Sequence, residues 1–217
     1  MPSLAQAAKF VLPLALAAAA APMIAQMPME APGKMDPKRV TAGTYAADPS
    51  HSLIGWQVNH LGFNPYFGLF GDVSGTLIID PANLAAAKVT ATIPVSKIVT
   101  VNPELTAHLL RAPAAGAKPD FFGPAPADAT FVSTSVVPAP DGISATINGN
   151  LTLNGVTKPV SISARFFGAG TNVMNRAVTI GFVGFTTIKR SDFGMNFIVP
   201  LVSDEVPLNI TIAFEKK

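Results

Sequence analysis

The chain lacks cysteine and carries little charge. Of its 217 residues, 13% are Asp, Glu, Lys or Arg, about half the share found in an average soluble domain. The absence of cysteine excludes disulfide bonds, thiolate catalysis, iron–sulfur clusters and a lipid-modified N-terminal cysteine. It does not exclude export, because a domain of this size can form a sufficient core without disulfides.

The chain also lacks the basic clusters that bind polyanions. Its formal net charge is +2, and no Lys/Arg run exceeds two adjacent residues. Nucleic-acid-binding proteins concentrate Lys and Arg in patches or stripes, so we expect no nucleic-acid partner. Hydrophobic residues make up 49% of the chain. Beyond the alanine-rich N-terminus, this excess indicates an unusually apolar core or an apolar cavity.

Residues 1–25 have the layout of a signal peptide. Lys9 supplies positive charge, residues 10–21 are an apolar run, and residues 18–20 form a small-x-small cleavage motif, with cleavage after Ala25 as the alternative. The run is shorter than the roughly 20 residues that span a bilayer. We therefore expect cleavage and export to the periplasm or medium, rather than an uncleaved anchor, and no later membrane-spanning segment.

Residues 26–42 are rich in Pro, Met and charge and have no periodicity, which predicts a flexible linker. From residue 43 to the C-terminus the pattern is almost entirely that of β-strands. Turn residues separate stretches with strand character, which are residues 52–61, 66–80, 89–95, 130–137, 143–153, 160–167, 177–189 and 206–214. About eight strands at hairpin spacing predict an antiparallel architecture.

The stretch at residues 143–153 has the clearest pattern. Every odd position is apolar or Gly, including Gly149, and every even position is small and polar. A period of two predicts a strand with one dry and one wet face, and this strand could run about 36 Å, roughly twice a typical length. The Asn154–Gly155 pair that follows predicts a two-residue hairpin turn.

One short helix is predicted at residues 103–111. Asn102 can cap it, Pro103 occupies the first helical position, and Leu105 and Leu109 share one face. A helix of about two turns is not stable alone in water, so it must pack against the strands.

A barrel is favoured over a sandwich. Several strands exceed ten residues, and residues 178–185 are apolar on both faces. Phe and Gly adjoin in residues 166–168 and 181–185, which suits a wall shaped around a ligand. An eight-stranded barrel has a lumen that side chains fill or that holds one small ligand. The predicted fold is an all-β, antiparallel eight-stranded barrel with one short helix; a fully packed core is the alternative.

Five blocks in register resemble the YceI-like family of bacterial periplasmic or secreted proteins. They are residues 45–63, 71–77, 151–160, 187–195 and 204–206. The resemblance covers residues 43–217. It implies an extended lipocalin-like barrel that holds a long isoprenoid lipid, of the polyprenyl or quinone-like type, and it implies a homodimer. It implies binding for carriage, storage or sequestration rather than catalysis, with no cofactor besides the bound lipid.

Strand parity selects inward-facing side chains as candidate ligand contacts. They are Trp56, Val58, Phe67, Leu77, Ile93, Ile147, Leu151, Ile162, Phe166, Ile180, Phe182, Ile210 and Ile212. A shift of one residue would invert the set of any strand.

Few polar residues are candidates for a lipid head group. They are His51, His60 and Arg190. His51 also suits a structural hydrogen bond at a strand start, and Arg190 suits a hydrogen-bonded corner that closes the barrel. His51, His60 and His108 have no zinc-site spacing, so we expect no metal site.

Two alternatives to lipid binding are left open. The first is an enzyme, such as a hydrolase, that uses His51, His60 and Asp120. It requires these groups to converge, and no Gly-x-Ser-x-Gly nucleophile motif supports it. The second is a ligand-free structural oligomer, which a filled core would favour.

Overall fold

The computed structural model describes residues 30–217, and residues 31–217 form one compact unit. The expected signal peptide and the start of the expected linker lie outside the described residues. The elements are β1 (Gly43–Ala47), β2 (Leu53–His60), β3 (Asn64–Phe70), β4 (Ser74–Ile79), β5 (Lys88–Ile93), β6 (Ile98–Val99), α1 (Pro103–Leu109), β7 (Ala129–Pro138), β8 (Ser144–Leu153), β9 (Val156–Thr171), β10 (Val178–Lys189) and β11 (Glu205–Lys216).

The eleven strand segments form an eight-stranded antiparallel barrel, as predicted. The ring runs β1-β4-β5-β7-β8-β9-β10-β11 and closes where β11 pairs with β1. The three remaining segments are continuations of ring strands. β2 follows β1 along β11, β3 leads into β4, and β6 follows β5 and pairs with β3. Three of the eight strands are therefore broken in two.

The breaks have local causes in the sequence. A 3₁₀ turn at Pro49–His51 separates β1 from β2, and another at Val95–Lys97 separates β5 from β6 directly after Pro94. Proline cannot donate a ladder hydrogen bond, so β5 ends before it. Between β3 and β4, Asp72 adopts a positive φ of 55°. The single strand expected over residues 66–80 is interrupted there.

The β8–β9 hairpin confirms the strongest local prediction. Asn154 and Gly155 have φ values of 51° and 76°, the left-handed pair that a type I′ turn requires. The pairing continues from Leu153–Val156 to Ser144–Arg165. β9 has 16 residues, more than the expected 160–167, so its last residues extend beyond the end of β8.

Helix α1 begins as predicted and ends two residues earlier. The Asn102 side chain accepts hydrogen bonds from the backbone N–H groups of Glu104 and Leu105. Leu109 is buried, and its carbonyl accepts a hydrogen bond from Phe122 N–H. The helix and the segment after it thus pack on one end of the barrel.

Each end of the barrel contains one hydrophobic cluster. The first contains Trp56, Leu109 and Phe193 and lies under α1, and we call this the closed end. The second contains Tyr45 and Phe214 and lies at the opposite end, which we call the open end. The loops at the open end include residues 80–87 and 139–143.

Residues 31–42, here called the strap, are bound along the open end. We expected a flexible linker over residues 26–42. Instead, Lys34 and Ala169 exchange two backbone hydrogen bonds of 3.0 and 2.9 Å, on the part of β9 that extends beyond β8. Val40 packs against the open-end cluster. Free backbone groups of β9 provide this binding edge, and no periodicity in the strap sequence signals it.

Candidate functional site

An apolar cavity of about 360 Å³ lies inside the barrel between the two clusters. Its lining runs from Ile54 and Ile93, next to the closed end, to Pro37, Val40 and Gly142 at the open end. Ser144 and Thr186 supply the polar side chains of this lining, and no charged residue contributes to it. Ligand pockets of small molecules have volumes of about 300–1,000 Å³, so the cavity is large enough for a ligand.

A row of small residues gives the cavity its width. Ala145, Ala164 and Gly184 are directly paired across β8, β9 and β10, and all three line the cavity. Branched or aromatic side chains at these positions would occupy part of the lumen. Ile162 and Phe166, the inward neighbours of Ala164 on β9, line it with such larger side chains. The lumen stays open here because three consecutive strands each contribute a residue with little or no side chain.

Most of the wall residues predicted by parity line the cavity. They are Leu77, Ile93, Ile147, Leu151, Ile162, Phe166, Phe182, Ile210 and Ile212. Three others face inward without reaching it. Trp56 and Val58 belong to the closed-end cluster, and Ile180 is fully buried in the open-end cluster.

The prediction that Phe67 faces the lumen is wrong. It lies on the outer face of β3 and is 58% exposed, whereas Gly68 is buried against the Trp56 ring. The inner positions of β3 are therefore Tyr66, Gly68 and Phe70. Parity failed here because the apolar residues of β3 occur on both faces, so alternation could not select one.

Parity reasoning also missed lining residues on β7. Phe131 and Val136 both line the cavity, although they differ in parity. A register shift between Ser133 and Ser135 inserts one residue and exchanges the faces between them. Gly149 faces inward, and a Cβ there would overlap the Phe131 ring.

Arg190 forms the hydrogen-bonded corner at the closed end. It is 4% exposed and donates three hydrogen bonds, to the carbonyls of Ser203 at 2.9 Å, Met195 at 2.9 Å and Val202 at 2.8 Å. Burial lowers the pKa of Arg190, and the nearby Asp204 opposes this shift. Arg190 does not line the cavity, and its donors are committed to the backbone.

Asp204 completes this corner. Its carboxylate accepts hydrogen bonds from Ser191 N–H at 2.8 Å and Ser191 Oγ–H at 2.7 Å. Burial alone would raise the pKa of Asp204, but the Ser191 hydrogen bonds and the charges of Arg190 and Lys189 outweigh it, so the pKa lies below its usual value. Asp204 is therefore a structural hydrogen-bond acceptor of this corner rather than a solvated charge.

The other two head-group candidates lie on the surface. The His51 side chain is 74% exposed, and its Nδ1 contacts the Asp48 carboxylate in the turn before β2, the structural bond expected as one alternative. His60 is exposed at the end of β2, where its backbone pairs with Val202. Neither residue lines the cavity.

Asp120 belongs to a separate cluster beside α1. Its Oδ2 lies 2.9 Å from His108 Nε2 and 2.8 Å from an Arg111 guanidinium nitrogen. The His108 hydrogen bond holds the pKa of Asp120 below its usual value, partial burial opposes this, and Arg111 adds to the lowering. His51, His60 and Asp120 thus have different partners and do not form one site.

Residues 30–217 offer neither a metal site nor a membrane-spanning helix. No group of three or more His, Asp or Glu side chains there has the geometry to hold a metal ion. No helix in the same part of the chain is long and apolar enough to cross a membrane.

Comparisons with known proteins match most of the chain. Residues 45–214 match the family model of the YceI-like domain. The chain is 36% identical over 174 residues to a UPF0312 protein of Ectopseudomonas mendocina, covering 79% of this chain and 86% of the relative. It is 35% identical over 184 residues to a UPF0312 protein of Shewanella baltica, covering 83% of this chain and 92% of the relative.

Solved structures show the same fold. BcnA of Burkholderia cenocepacia matches with a TM-score of 0.63 at 25% identity, over 77% of this chain and 98% of its own. The YCEI protein of Campylobacter jejuni matches with a TM-score of 0.56 at 28% identity, over 73% and 89%. A polyisoprenoid binding domain from Saccharophagus degradans shares the fold at 13% identity, with a TM-score of 0.52 over 80% and 98%. By the extent of the family match and the identity to its relatives, this chain belongs to the YceI-like family.

Proposed function

We propose that the protein binds a long isoprenoid lipid, polyprenyl or quinone-like, in the barrel cavity. The observation that carries the proposal is the cavity itself, which is lined by apolar side chains and contains no charged group. The Saccharophagus degradans neighbour is described as a polyisoprenoid binding domain. Family membership and this neighbour support a binding protein rather than an enzyme.

The lining suits a hydrocarbon chain. Each methylene transferred from water to an apolar site contributes about 0.8 kcal/mol, before the cost of ordering the chain. A long tail therefore binds tightly without polar contacts. The lumen walls are rich in Ile, Val, Leu and Phe, whose branched and planar surfaces pack well against the methyl branches and double bonds of an isoprenoid.

The two alternatives have less support. An enzyme using His51, His60 and Asp120 needs these groups at one site, and each has its own separate partners. A filled core would favour a ligand-free structural oligomer. The lumen instead contains an unfilled cavity.

The setting of this binding is part of the proposal. The signal-peptide pattern of residues 1–25 supports export, so we place carriage, storage or sequestration of the lipid in the periplasm or outside the cell.

A homodimer is proposed from the family resemblance. Exposed apolar side chains on the outer face of neighbouring strands, among them Leu53, Leu69 and Phe185, offer a surface for it. Native mass spectrometry of the purified protein measures both the ligand and the dimer.

The decisive experiment uses two substitutions on adjacent residues of β9. Ala164 lines the lumen, and Ser163 faces outward and is exposed. Ala164→Phe places a ring in the row of small residues, and Ser163→Phe adds the same ring outside. We expect a co-purified isoprenoid lipid in native mass spectra and organic extracts of the wild type and Ser163→Phe, and its loss from folded Ala164→Phe. Absence of any isoprenoid from all three proteins, including after incubation with polyprenol, contradicts the proposal.

A further inference from the structure

Two neighbouring loops at the closed end expose large apolar side chains. The turn between β2 and β3 exposes Leu61 and Phe63, and the segment before β11 exposes Ile198 and Leu201. Phe63 is 86% exposed and Leu201 is 63% exposed. The backbone N–H of Leu61 donates a hydrogen bond of 2.9 Å to the Leu201 carbonyl, so the two loops lie side by side. We call these four residues the apolar tip. Contiguous exposed apolar surface marks a binding surface, whereas scattered single residues do not.

Local backbone preferences do not explain the side chains of the apolar tip. Leu61 and Ile198 have φ values of 58° and 48°, a left-handed conformation that Leu and Ile rarely adopt. Leu61 and Gly62 are the central residues of a turn with two positive φ values, where Asn, Asp and Gly are the usual residues. Leu61 and Ile198 are also exposed, so the fold gains little from their side chains. A contact outside the folded chain explains both residues.

The two loops carry no ionised side chain. Residues 49–71 and 193–203, which contain both loops, include no Asp, Glu, Lys or Arg. Charged residues resume at Asp72, Asp192 and Asp204, so charges border the loops in the chain but do not occur on them. A charged side chain is costly in the apolar part of a bilayer, and the apolar tip avoids this cost.

The backbone of the turn is also suited to an environment without water. Gly62 N–H donates to the Asn59 side-chain oxygen at 2.8 Å, and Phe63 N–H donates to the His60 carbonyl at 3.1 Å. With the Leu61 bond described above, all three N–H groups of the turn have acceptors. Backbone groups that enter lipid must be hydrogen-bonded within the protein, and these donors meet that requirement.

The size of the apolar tip favours a bilayer over a protein partner. Stable protein–protein interfaces use about 20–30 residues from each side, whereas the apolar tip belongs to two short loops. A lipid bilayer accepts small apolar protrusions at its interface, where Phe and Leu side chains enter the boundary between head groups and acyl chains. Asn59 and Ser203, at the base of the loops, are polar and uncharged, as this boundary requires.

We propose that the apolar tip inserts into the interfacial region of a lipid bilayer and docks the closed end of the barrel on the membrane surface. In this orientation the open end of the cavity points away from the bilayer. The contact does not require a lipid in the cavity, so it goes beyond the proposed function and is tested separately from it.

Flotation with vesicles of phosphatidylethanolamine and phosphatidylglycerol in equal parts measures the docking. Phe63→Asp places a charge on the apolar tip. Phe167→Asp is the matched control, because Phe167 is 65% exposed on the part of β9 that extends toward the open end. We expect Phe63→Asp to lower the vesicle partition coefficient by at least about tenfold, and Phe167→Asp to bind like the wild type. Binding of the wild type should persist at high salt, which screens electrostatic attraction but not apolar contact.

The absence of cysteine provides a second measurement. A single cysteine introduced as Phe63→Cys or Phe167→Cys can carry an environment-sensitive nitrobenzoxadiazole label. We expect a blue shift and stronger emission on addition of vesicles when the label is at position 63, and unchanged emission when it is at position 167.

Three results would overturn the inference. They are failure of the wild type to float with the vesicles, equal loss of binding in Phe63→Asp and Phe167→Asp, and loss of wild-type binding at high salt, which would assign the contact to basic side chains. If the wild type does not bind vesicles and Phe63→Asp changes the oligomeric state in native mass spectra, the apolar tip is an interface between copies of the chain instead. The proposed lipid binding in the cavity stands or falls on the extraction experiment above, whichever of these results is obtained.

Discussion

The two ends of the barrel are built from the same eight strands but closed by different kinds of contact. At the closed end, side chains fill the barrel under α1, and Arg190 ties the segment before β11 to the end of β10 through three hydrogen bonds. Edge-to-face ring contacts join His108, Phe121 and Phe197, with distances of 5.5–5.7 Å between ring centroids. At the open end, the strap is held to β9 by one pair of backbone hydrogen bonds and by the Arg165 guanidinium, which donates to the Met35 sulfur. At the end of the strap, Thr41 accepts hydrogen bonds from the Tyr45 hydroxyl and the Lys216 ammonium.

Because of this difference, we expect the closed end to determine the stability of the folded barrel and the open end to determine the rate of ligand exchange. Buried charge-assisted hydrogen bonds cannot open without a large penalty, so the closed end holds the barrel together and forms a fixed floor. Backbone hydrogen bonds at an edge open at low cost, so the strap can move while the barrel stays folded. Substitutions at the closed end should therefore change stability, and those at the open end should change the rate of ligand exchange.

The largest effect is expected at Arg190. Arg190→Met preserves much of the side-chain volume but leaves three buried carbonyls without donors. We expect a loss of about 3–5 kcal/mol in the free energy of unfolding, measured by urea denaturation. Arg165→Met is the control, because Arg165 is exposed and has only weak polar interactions with the Met35 sulfur and the Asp141 carboxylate, and it should change stability by less than about 0.5 kcal/mol. Equal losses in the two variants would remove the structural role assigned to the corner.

The second largest effect is expected at Gly149, in the barrel wall between the two ends. A Cβ at Gly149 would overlap both the Phe131 ring and the Val132 carbonyl oxygen, so Gly149→Leu must displace the ring, which lines the cavity, and the neighbouring β7 backbone. We expect a loss of about 1–3 kcal/mol in stability from overpacking and a lower capacity for long isoprenoids, measured with a series of chain lengths. Gly71→Ala is the control, since no atom lies within 4 Å of its added Cβ. An unchanged capacity in Gly149→Leu would show that the Phe131 ring does not limit the lumen.

A smaller effect is expected at the strap. A Cβ at Gly170 would overlap the Pro32 carbonyl, so Gly170→Val should displace the strap from β9. We expect a loss of only about 1–2 kcal/mol in stability, and an increase of about three- to tenfold in the dissociation rate of a bound isoprenoid, measured by transfer to acceptor vesicles. Gly181→Ala, whose Cβ would lie 3.8 Å from the Gly168 oxygen, should leave the rate unchanged. A large stability loss without faster exchange would place the strap in the folding core.

The smallest effect is a pH dependence at the closed end. The pKa of Asp204 is below its usual value of 3.8, so its carboxylate stabilises the folded protein above about pH 4, and this contribution is lost as the pH falls through the folded-state pKa. We expect Asp204→Asn to lower stability by about 1 kcal/mol at pH 7 and to flatten the stability profile below about pH 4. Asp128→Asn, which removes the same charge from an exposed site, should leave the profile unchanged.

The predictable parts of this protein depend on short segments. The alternation in residues 144–153 predicted β8, the Asn154–Gly155 pair predicted its turn, and Asn102 predicted the start of α1. Each of these features is set by the local backbone and by neighbours a few residues away. β1 was missed, because its Gly-Thr-Tyr-Ala-Ala segment is short and small residues carry little alternation.

The candidate site was predicted where alternation is unbroken and mispredicted where it is not. Ile147 and Leu151 line the cavity as expected. On β7 the register shift exchanges the faces between Phe131 and Val136, and on β3 both faces carry apolar residues, so Phe67 was assigned inward although it is exposed. Bulges depend on the partner strand, and sequence periodicity on one strand does not reveal them.

The sequence by itself determined the all-β class, the hairpin turns, the helix cap and the family, because these follow from local backbone preferences and from motifs in order along the chain. The tertiary structure alone decided how far the lumen stays open, since Ala145, Ala164 and Gly184 come from three different strands. It also decided that the strap binds β9 and that Phe131 and Val136 of β7 both line the cavity. These features depend on the register between strands, and register is a property of the closed barrel.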